Sequence, residues 1–230
     1  MKCYEGYVGG PPAHFSEALN KRLLHGYAAC VSYIDEWLGR ILDVLDESGM
    51  AEETIVVLWG DHGYRLGDHS SWTKHTNFET DTRVPLLMRV PGKAEGRSTQ
   101  SLVELVDLYP TLCELTGIPV PDHCQGRSFA TLFEEPTAEH RPSAYSAYPA
   151  EAGIPEKMAS GMVDAPPGPT LEMGMGHSIR FQRYRYTEWR PRVHAEATAA
   201  VLTDLQNDPG ETTNVIENPV YAQALEMSRK

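Results

Sequence analysis

Thr54-Ile55-Val56-Val57-Leu58-Trp59-Gly60-Asp61-His62-Gly63 is the stretch on which the fold turns. Its β-branched and apolar opening suits a short strand buried on both faces of a mixed or parallel sheet. The run then stops abruptly on glycine, a carboxylate and an imidazole. In α/β sheets the loop beyond the carboxyl end of a strand is the favoured position for a ligand site. Upstream, Tyr27, Val31, Ile34, Leu38, Ile41 and Leu45 recur at spacings of three and four. That pattern predicts a helix from Ser16 to about Ser48-Gly49 with the stripe facing a core. Downstream, Val84 to Val90 predicts a second strand, closed by the Pro91-Gly92 turn. Helix, buried strand, loop and strand in succession make α/β the expected class.

Further along, Asp107 is placed to cap a helix whose first turn holds Pro110, where a missing amide proton does no harm. This helix should end at Gly117, before Pro119 and Pro121, and bury Leu108, Leu112 and Leu115. After Phe133 the composition shifts towards proline, glycine and alanine, and a boundary is expected near Glu134. His177 to Arg183, Tyr184 to Trp189 and Ala199 to Leu205 read as short strands, Asn207-Asp208-Pro209-Gly210 as a turn and Pro219 to Arg229 as a terminal helix. Met1 to Phe15 reads as a loop, and Ala150 to Gly176 as the least structured stretch.

The 230 residues, 41% of them hydrophobic, are enough for a substantial core. With 20 basic against 32 acidic residues and a formal charge of -12, neither nucleic acid nor an anionic membrane is an expected partner. Apolar runs are far shorter than the roughly 20 residues of a membrane helix. No apolar signal segment follows the first lysine, so the sequence itself carries no visible address. Cys3, Cys30, Cys113 and Cys124 form no C-x-x-C pair, which argues against a zinc knuckle or a dense disulfide framework. Buried free thiols are the default for these cysteines, and pairing of Cys113 with Cys124 in an oxidising compartment stays open.

Asp61 and His62 place an oxygen and a nitrogen donor side by side, a reasonable half of a divalent-metal site. Taken alone, Asp-His-Gly is equally a turn. Lys74 offers a positive charge and three donors to an oxyanion, although an isolated lysine is ordinarily a solvated surface charge.

Asp61-His62-Gly63, Leu66-Gly67-Asp68-His69, Trp72-Thr73-Lys74-His75-Thr76-Asn77-Phe78-Glu79 and Thr82-Arg83-Val84-Pro85-Leu86 follow one another in an order that resembles type I sulfatases of the alkaline phosphatase superfamily, in particular iduronate-2-sulfatase-like and choline-sulfatase-like enzymes. The flanks Tyr33-Ile34-Asp35 to Gly39, Val106 to Leu112 and Asp204 to Glu211 fit as well. The resemblance implies a mixed sheet flanked by helices over residues 1–134, the carboxyl-terminal part of a sulfatase catalytic domain. Residues 135–230 would form a small α+β subdomain with an antiparallel sheet. It implies one calcium ion held by Asp61 and His62 together with carboxylates from elsewhere. Lys74 would contact the sulfate and stabilise charge on the ester oxygen. His69 and His75 are candidate substrate contacts or proton donors, or equally loop and packing histidines. Arg83 is expected to tether the loop. Tyr184, Tyr186, Trp189 and Arg190 are read chiefly as packing residues, with the substrate entrance as their other reading. A sulfated small molecule or sugar is the implied substrate, and a periplasmic, extracellular or lysosomal setting the implied location.

One departure bears on activity. Sulfatases use a formylglycine made from the cysteine of a C-x-P-x-R motif, and none of the four cysteines has that context; nor does the chain contain an Asp-Asp pair. The chain by itself is therefore expected to be nearly inert, since losing a covalent nucleophile costs about 10⁶-fold where it has been measured. Two other readings stand beside a sulfatase segment. A phosphodiesterase or phosphonate monoester hydrolase of the same superfamily would share the Asp-His-Gly and lysine elements. A two-metal phosphatase would need a late histidine, for which only His177 is a candidate. A non-catalytic remnant would hold neither metal nor sulfate.

Overall fold

The computed structural model describes residues 16–70, 72–94, 96–149, 174–191 and 196–228. The expected loop at Met1 to Phe15 lies outside them, as does 150–173 of the stretch read as least structured. Helix α1 (Glu17–Glu47) begins where Ser16 Oγ accepts from the Leu19 amide at 3.3 Å. It ends at Ser48, ahead of Gly49 with φ 73°. Its apolar stripe does not face a core. No residue of α1 is buried: Ile34 and Ile41 are 60% and 63% exposed, and Leu38 and Leu45 are only half-buried. Among the described residues, the Tyr27 ring lies on Tyr64 at 5.3 Å and Asp46 faces Arg89 at 3.8 Å. No helix among the described residues is long and apolar enough to cross a membrane.

Strand β1 (Val56–Trp59) pairs antiparallel with β4 (Leu86–Arg89), Val56 opposite Arg89 and Trp59 opposite Leu86. The pair stands as a ribbon of two strands, so β1 is not buried on both faces, and Leu58, Trp59 and Leu87 are exposed. Between these strands the chain makes a small hairpin, β2 (Arg65–Leu66) with β3 (Trp72–Thr73), and a single helical turn, α2 (Glu79–Thr82).

Helix α3 (Leu108–Thr116) carries buried Pro110 in its first turn and stops at Gly117, φ 70°. Asp107 occupies the expected cap position, but its carboxylate does other work. Glu104 N donates to it at 3.0 Å, Arg127 N at 2.8 Å, and Arg141 makes a two-pronged pair through Nε at 2.7 Å and an η nitrogen at 2.5 Å. Cys30, Cys113 and Cys124 are free thiols, so Cys113 and Cys124 are not bridged.

The carboxyl-terminal sheet has the order β5 (Ser143–Pro149), β6 (Gly174–Phe181), β7 (Tyr184–Pro191), β8 (Ala199–Asp204), antiparallel throughout. The last three were expected; β5 was not. Register fixes two faces, since alternate residues point to opposite sides. On one, Tyr186 and Leu202 pack with Phe181 against Ala224 of α4 (Ala222–Ser228). Leu202 is fully buried, worth about 1.5–3 kcal/mol of transfer free energy. The other face, carrying Tyr148, Gly176, Arg180, Arg185 and Trp189, meets the loop that follows β1.

Candidate active site

Where β1 gives out, Gly63 N donates to Asp81 O at 2.8 Å. A Cβ on Gly63 would stand 1.9 Å from the Thr80 carbonyl oxygen, so only glycine permits this approach. The turn displays Asp61 and His62 side by side. His62 Nδ1 lies 2.9 Å from its neighbour's carbonyl, Gly63 O. A carbonyl only accepts, so Nδ1 carries the proton and Nε2 keeps its lone pair. Against that lone pair sits Lys74 Nζ. Asp61 Oδ2 is 3.5 Å from the same Nε2, and the Asp61 side chain is 83% exposed. A carboxylate and an imidazole lone pair this close are donors that favour a positive charge, and the Lys74 ammonium takes that place here. The structure thus brings Asp61, His62 and Lys74 together.

The loop is held from beneath by a buried ion pair. Arg65 Nε lies 3.3 Å from Asp81 Oδ1, and Asp81 Oδ2 accepts from Thr76 N at 2.7 Å and Thr76 Oγ1 at 2.6 Å. The Arg65 guanidinium also donates to Lys74 O at 3.1 Å, which fixes the backbone from which Lys74 projects. His69, Thr73 and His75 have φ of 52°, 77° and 96°, a region L-residues rarely adopt. Each such residue costs about 1–3 kcal/mol, and such strain gathers at functional sites. The His69 ring stacks on Phe78, centroids 3.7 Å apart and planes 1° from parallel. Burial first, and then the nearby Arg65 charge, hold its pKa below the usual histidine value. His75 is half-buried, and its Nδ1 is hydrogen-bonded to the Tyr148 hydroxyl.

Arg83 is exposed and is not the tether that the sequence suggested. That work falls to Glu79. Its Oε1 accepts from Arg180 Nε at 3.0 Å and from an Arg185 η nitrogen at 2.5 Å, while its amide donates to Glu211 Oε2 at 2.6 Å. Arg185 Nε is 3.2 Å from Glu211 Oε1. Burial pushes the Glu211 carboxyl up to about 7 even though Arg185 pulls the other way. Beside this clamp, Asn77 Nδ2 donates to Gly176 O at 3.4 Å, and a Cβ on Gly176 would stand 2.7 Å from Asn77 Nδ2. Sequence reasoning singled out none of Glu79, Asp81, Arg180, Arg185 or Glu211 as a site support. Glu79 and Glu211 stood at the ends of quoted motifs, Trp72 to Glu79 and Asp204 to Glu211, but neither was given a role.

His177 lies on the far face of the sheet. Its Nδ1 is 2.5 Å from the Tyr145 hydroxyl, and Tyr145 alternates with Tyr148 along β5. Tyr186 and Trp189 are buried, Tyr184 packs on Phe181 and Tyr221, and Arg190 pairs with Glu188 at 2.6 Å. Among the described residues no group of three or more histidine, cysteine, aspartate and glutamate side chains gathers as a metal site. Asp61 and His62 bring two donors, fewer than the roughly six to eight that a calcium ion takes.

The sulfatase family model matches residues 4–118. Iduronate 2-sulfatase of Mus musculus is 34% identical over 79% of this chain, which covers 40% of that protein. An enzyme solved with its substrate D-glucosamine-2-N,6-O-disulfate is 25% identical with a TM-score of 0.74, over 94% of this chain and 41% of that one. The phosphonate monoester hydrolase of Agrobacterium radiobacter is 28% identical with a TM-score of 0.67, over 86% of this chain and 38% of that one. The chain thus spans about two fifths of the length of the proteins it matches. A loop that sets Asp61, His62 and Lys74 together, a mixed α/β architecture ending in a small antiparallel sheet, and the family match over residues 4–118 lead to one conclusion: this chain belongs to the sulfatase family.

Proposed function

We propose that this chain supplies part of the catalytic centre of a sulfuric ester hydrolase acting on a sulfated sugar. The observation that carries the reading is the meeting of Asp61, His62 and Lys74 at the end of β1, on a turn only glycine can make. Asp61 and His62 would hold one calcium ion, completed by carboxylates from outside this chain. When bound, calcium would neutralise sulfate oxygens, and a formylglycine from a C-x-P-x-R segment would supply the attacking hydroxyl.

This chain's own residues do the rest. The single lone pair on His62 Nε2 accepts one cation at a time. Lys74 therefore becomes available to a sulfate oxygen once that lone pair is committed elsewhere. Its ammonium then meets charge that grows on the ester as the bond to sulfur breaks, the kind of interaction that lowers a barrier most in a site closed to water. Arg65, Asp81 and Glu79 keep the loop from relaxing during that change. His75 would offer a donor to a substrate oxygen, whereas the stacked His69 is better suited to supporting Phe78. The glucosamine disulfate in the related structure supports a sugar substrate.

Activity tests the reading. An enzyme assembled from this chain and a partner segment carrying C-x-P-x-R, matured by a formylglycine-generating system, should hydrolyse a sulfate monoester faster than a phosphate diester or a phosphonate monoester. The opposite preference would transfer the assignment to the hydrolase that acts on phosphonates. No turnover of any of these esters would favour a non-catalytic role.

A further inference from the structure

We infer that Tyr148, on the carboxyl-terminal sheet, is a positioning residue for His75, which makes that sheet part of the catalytic apparatus. The inference rests on the reading of the 61–83 loop as the sulfate-ester site and extends it to a residue 73 positions away. His75 directly follows Lys74, and its backbone is held at φ 96°, a conformation that persists only where the surroundings support it. The Tyr148 hydroxyl bonds to Nδ1, and the two rings lie 5.4 Å apart.

The segment around His75 is held by the same strands. Tyr148 is paired with Gly176, and Gly176 O accepts from Asn77, two residues beyond His75. The His75 ring and the Asn77 side chain are thereby held by β5 and β6 together. Among the described residues no hydrogen bond is made to His75 Nε2, so this nitrogen is left for a ligand. Here the phenol is assigned as the donor to Nδ1, an arrangement that leaves the proton of the neutral imidazole on Nε2. An Nε2–H is a donor suited to an oxygen of a sulfate ester. On the opposite face of the same strand, Tyr145 and His177 make the same chemical pair away from the loop. They serve as an internal control.

The experiment uses the assembled enzyme and the variants Y148F, Y145F, H75N and Y148F/H75N, each assayed on a sulfate monoester. Long-range 1H–15N spectra of labelled histidine are recorded on the same proteins without substrate. Y148F should lower kcat between about 10- and 100-fold, the usual effect of removing a group that orients a functional histidine, with KM within about twofold. Y145F should leave both unchanged. The double variant should be no slower than H75N, because contacting residues that act as one unit are not additive. In the spectra, the His75 signal, identified by its loss in H75N, should move from the Nε2–H form to a tautomer mixture in Y148F. Additive losses, an unchanged His75 tautomer, unchanged turnover by Y148F, or loss of its thermal transition would each overturn the inference. An enzyme that prefers phosphonate esters would defeat the sulfatase reading alone, since the spectra and the phosphonate kinetics would still decide the role of Tyr148.

Discussion

The two ends of this chain solve the burial problem differently. The carboxyl-terminal sheet is closed off on both faces, by α4 on one and by the loop after β1 on the other, and Leu202 and Asp204 are almost wholly inaccessible. At the other end, α1 runs 31 residues without burying one, and the β1–β4 ribbon shows Leu58, Trp59 and Leu87 to solvent. Amphipathic patterning records which face a segment must cover, not what covers it. A contiguous apolar face of this kind on a monomer marks an interaction surface or an aggregation liability. The loop that carries Asp61, His62 and Lys74 lies between the two regimes. It springs from the exposed ribbon but is anchored on the closed sheet.

The sharpest way to break that comparison is at the loop. Lys74→Ala should cost about 10²- to 10³-fold in kcat of the assembled enzyme, the usual loss for one preorganised charge-stabilising group, while its thermal unfolding stays where it was. A comparable loss of stability would move Lys74 from the chemistry into the fold. The next largest effect belongs to the closed sheet. Leu202→Ala should destabilise this chain by about 2–5 kcal/mol in urea unfolding. Ile34→Ser on α1 should change the same measurement by no more than about 0.5 kcal/mol. Equal penalties at the two positions would mean that α1 is covered in solution. The serine variant should also reduce light scattering at high concentration.

Titration sharpens the comparison further. Glu211 has a folded pKa of about 7, against an ordinary glutamate value of 4.5, with burial as the main cause. The folded state therefore holds the proton longer than the unfolded chain. Stability is greatest below about pH 4.5 and declines by about 3 kcal/mol as pH rises to 7. Glu211→Gln should flatten that decline in urea unfolding between pH 4.5 and 7. Asp107 acts in the opposite sense. Burial raises its pKa, but the hydrogen bonds from Arg141, Arg127 and Glu104 outweigh burial and hold it at about 2, below the reference 3.8. Its contribution, about 2 kcal/mol, is complete above pH 3.8 and disappears as pH falls through 2. Asp107→Asn should remove this acid limb. The two slopes together place maximum stability near pH 4–4.5 for these groups; a maximum above 7 would contradict the Glu211 slope, and an unchanged stability between about pH 4 and 2 the Asp107 slope.

What could be read from the sequence follows from how local each cause is. Helix α1, strand β1 and the stop at Gly117 were legible because three- and four-residue spacing, a β-branched run and a left-handed glycine each act within a few residues. Asp61, His62 and Lys74 were legible through their order along the chain, and their meeting needs only the short hairpin Arg65 to Thr73. Strand β5 was missed because Ser-Ala-Tyr-Ser-Ala-Tyr-Pro lacks β-branched residues, and its pairing with β6 supplies what propensity does not. The exposure of the α1 stripe was misread because periodicity says nothing about whether a partner is at hand. The clamp on Glu79 was invisible for a different reason. Its arginines and Glu211 lie more than 100 residues downstream, and no spacing rule relates them.

Arg185 answers to two carboxylates, Glu79 and Glu211, contributed from positions 132 residues apart. A polypeptide emerging from a ribosome amino end first would present the Asp61 to Arg83 segment long before either the guanidinium or the second acid had been made. The outer clamp on that segment must therefore wait until Glu211 has been translated, 132 residues after Glu79, so the timing of its closure is set by a distant stretch as well as by its own neighbours.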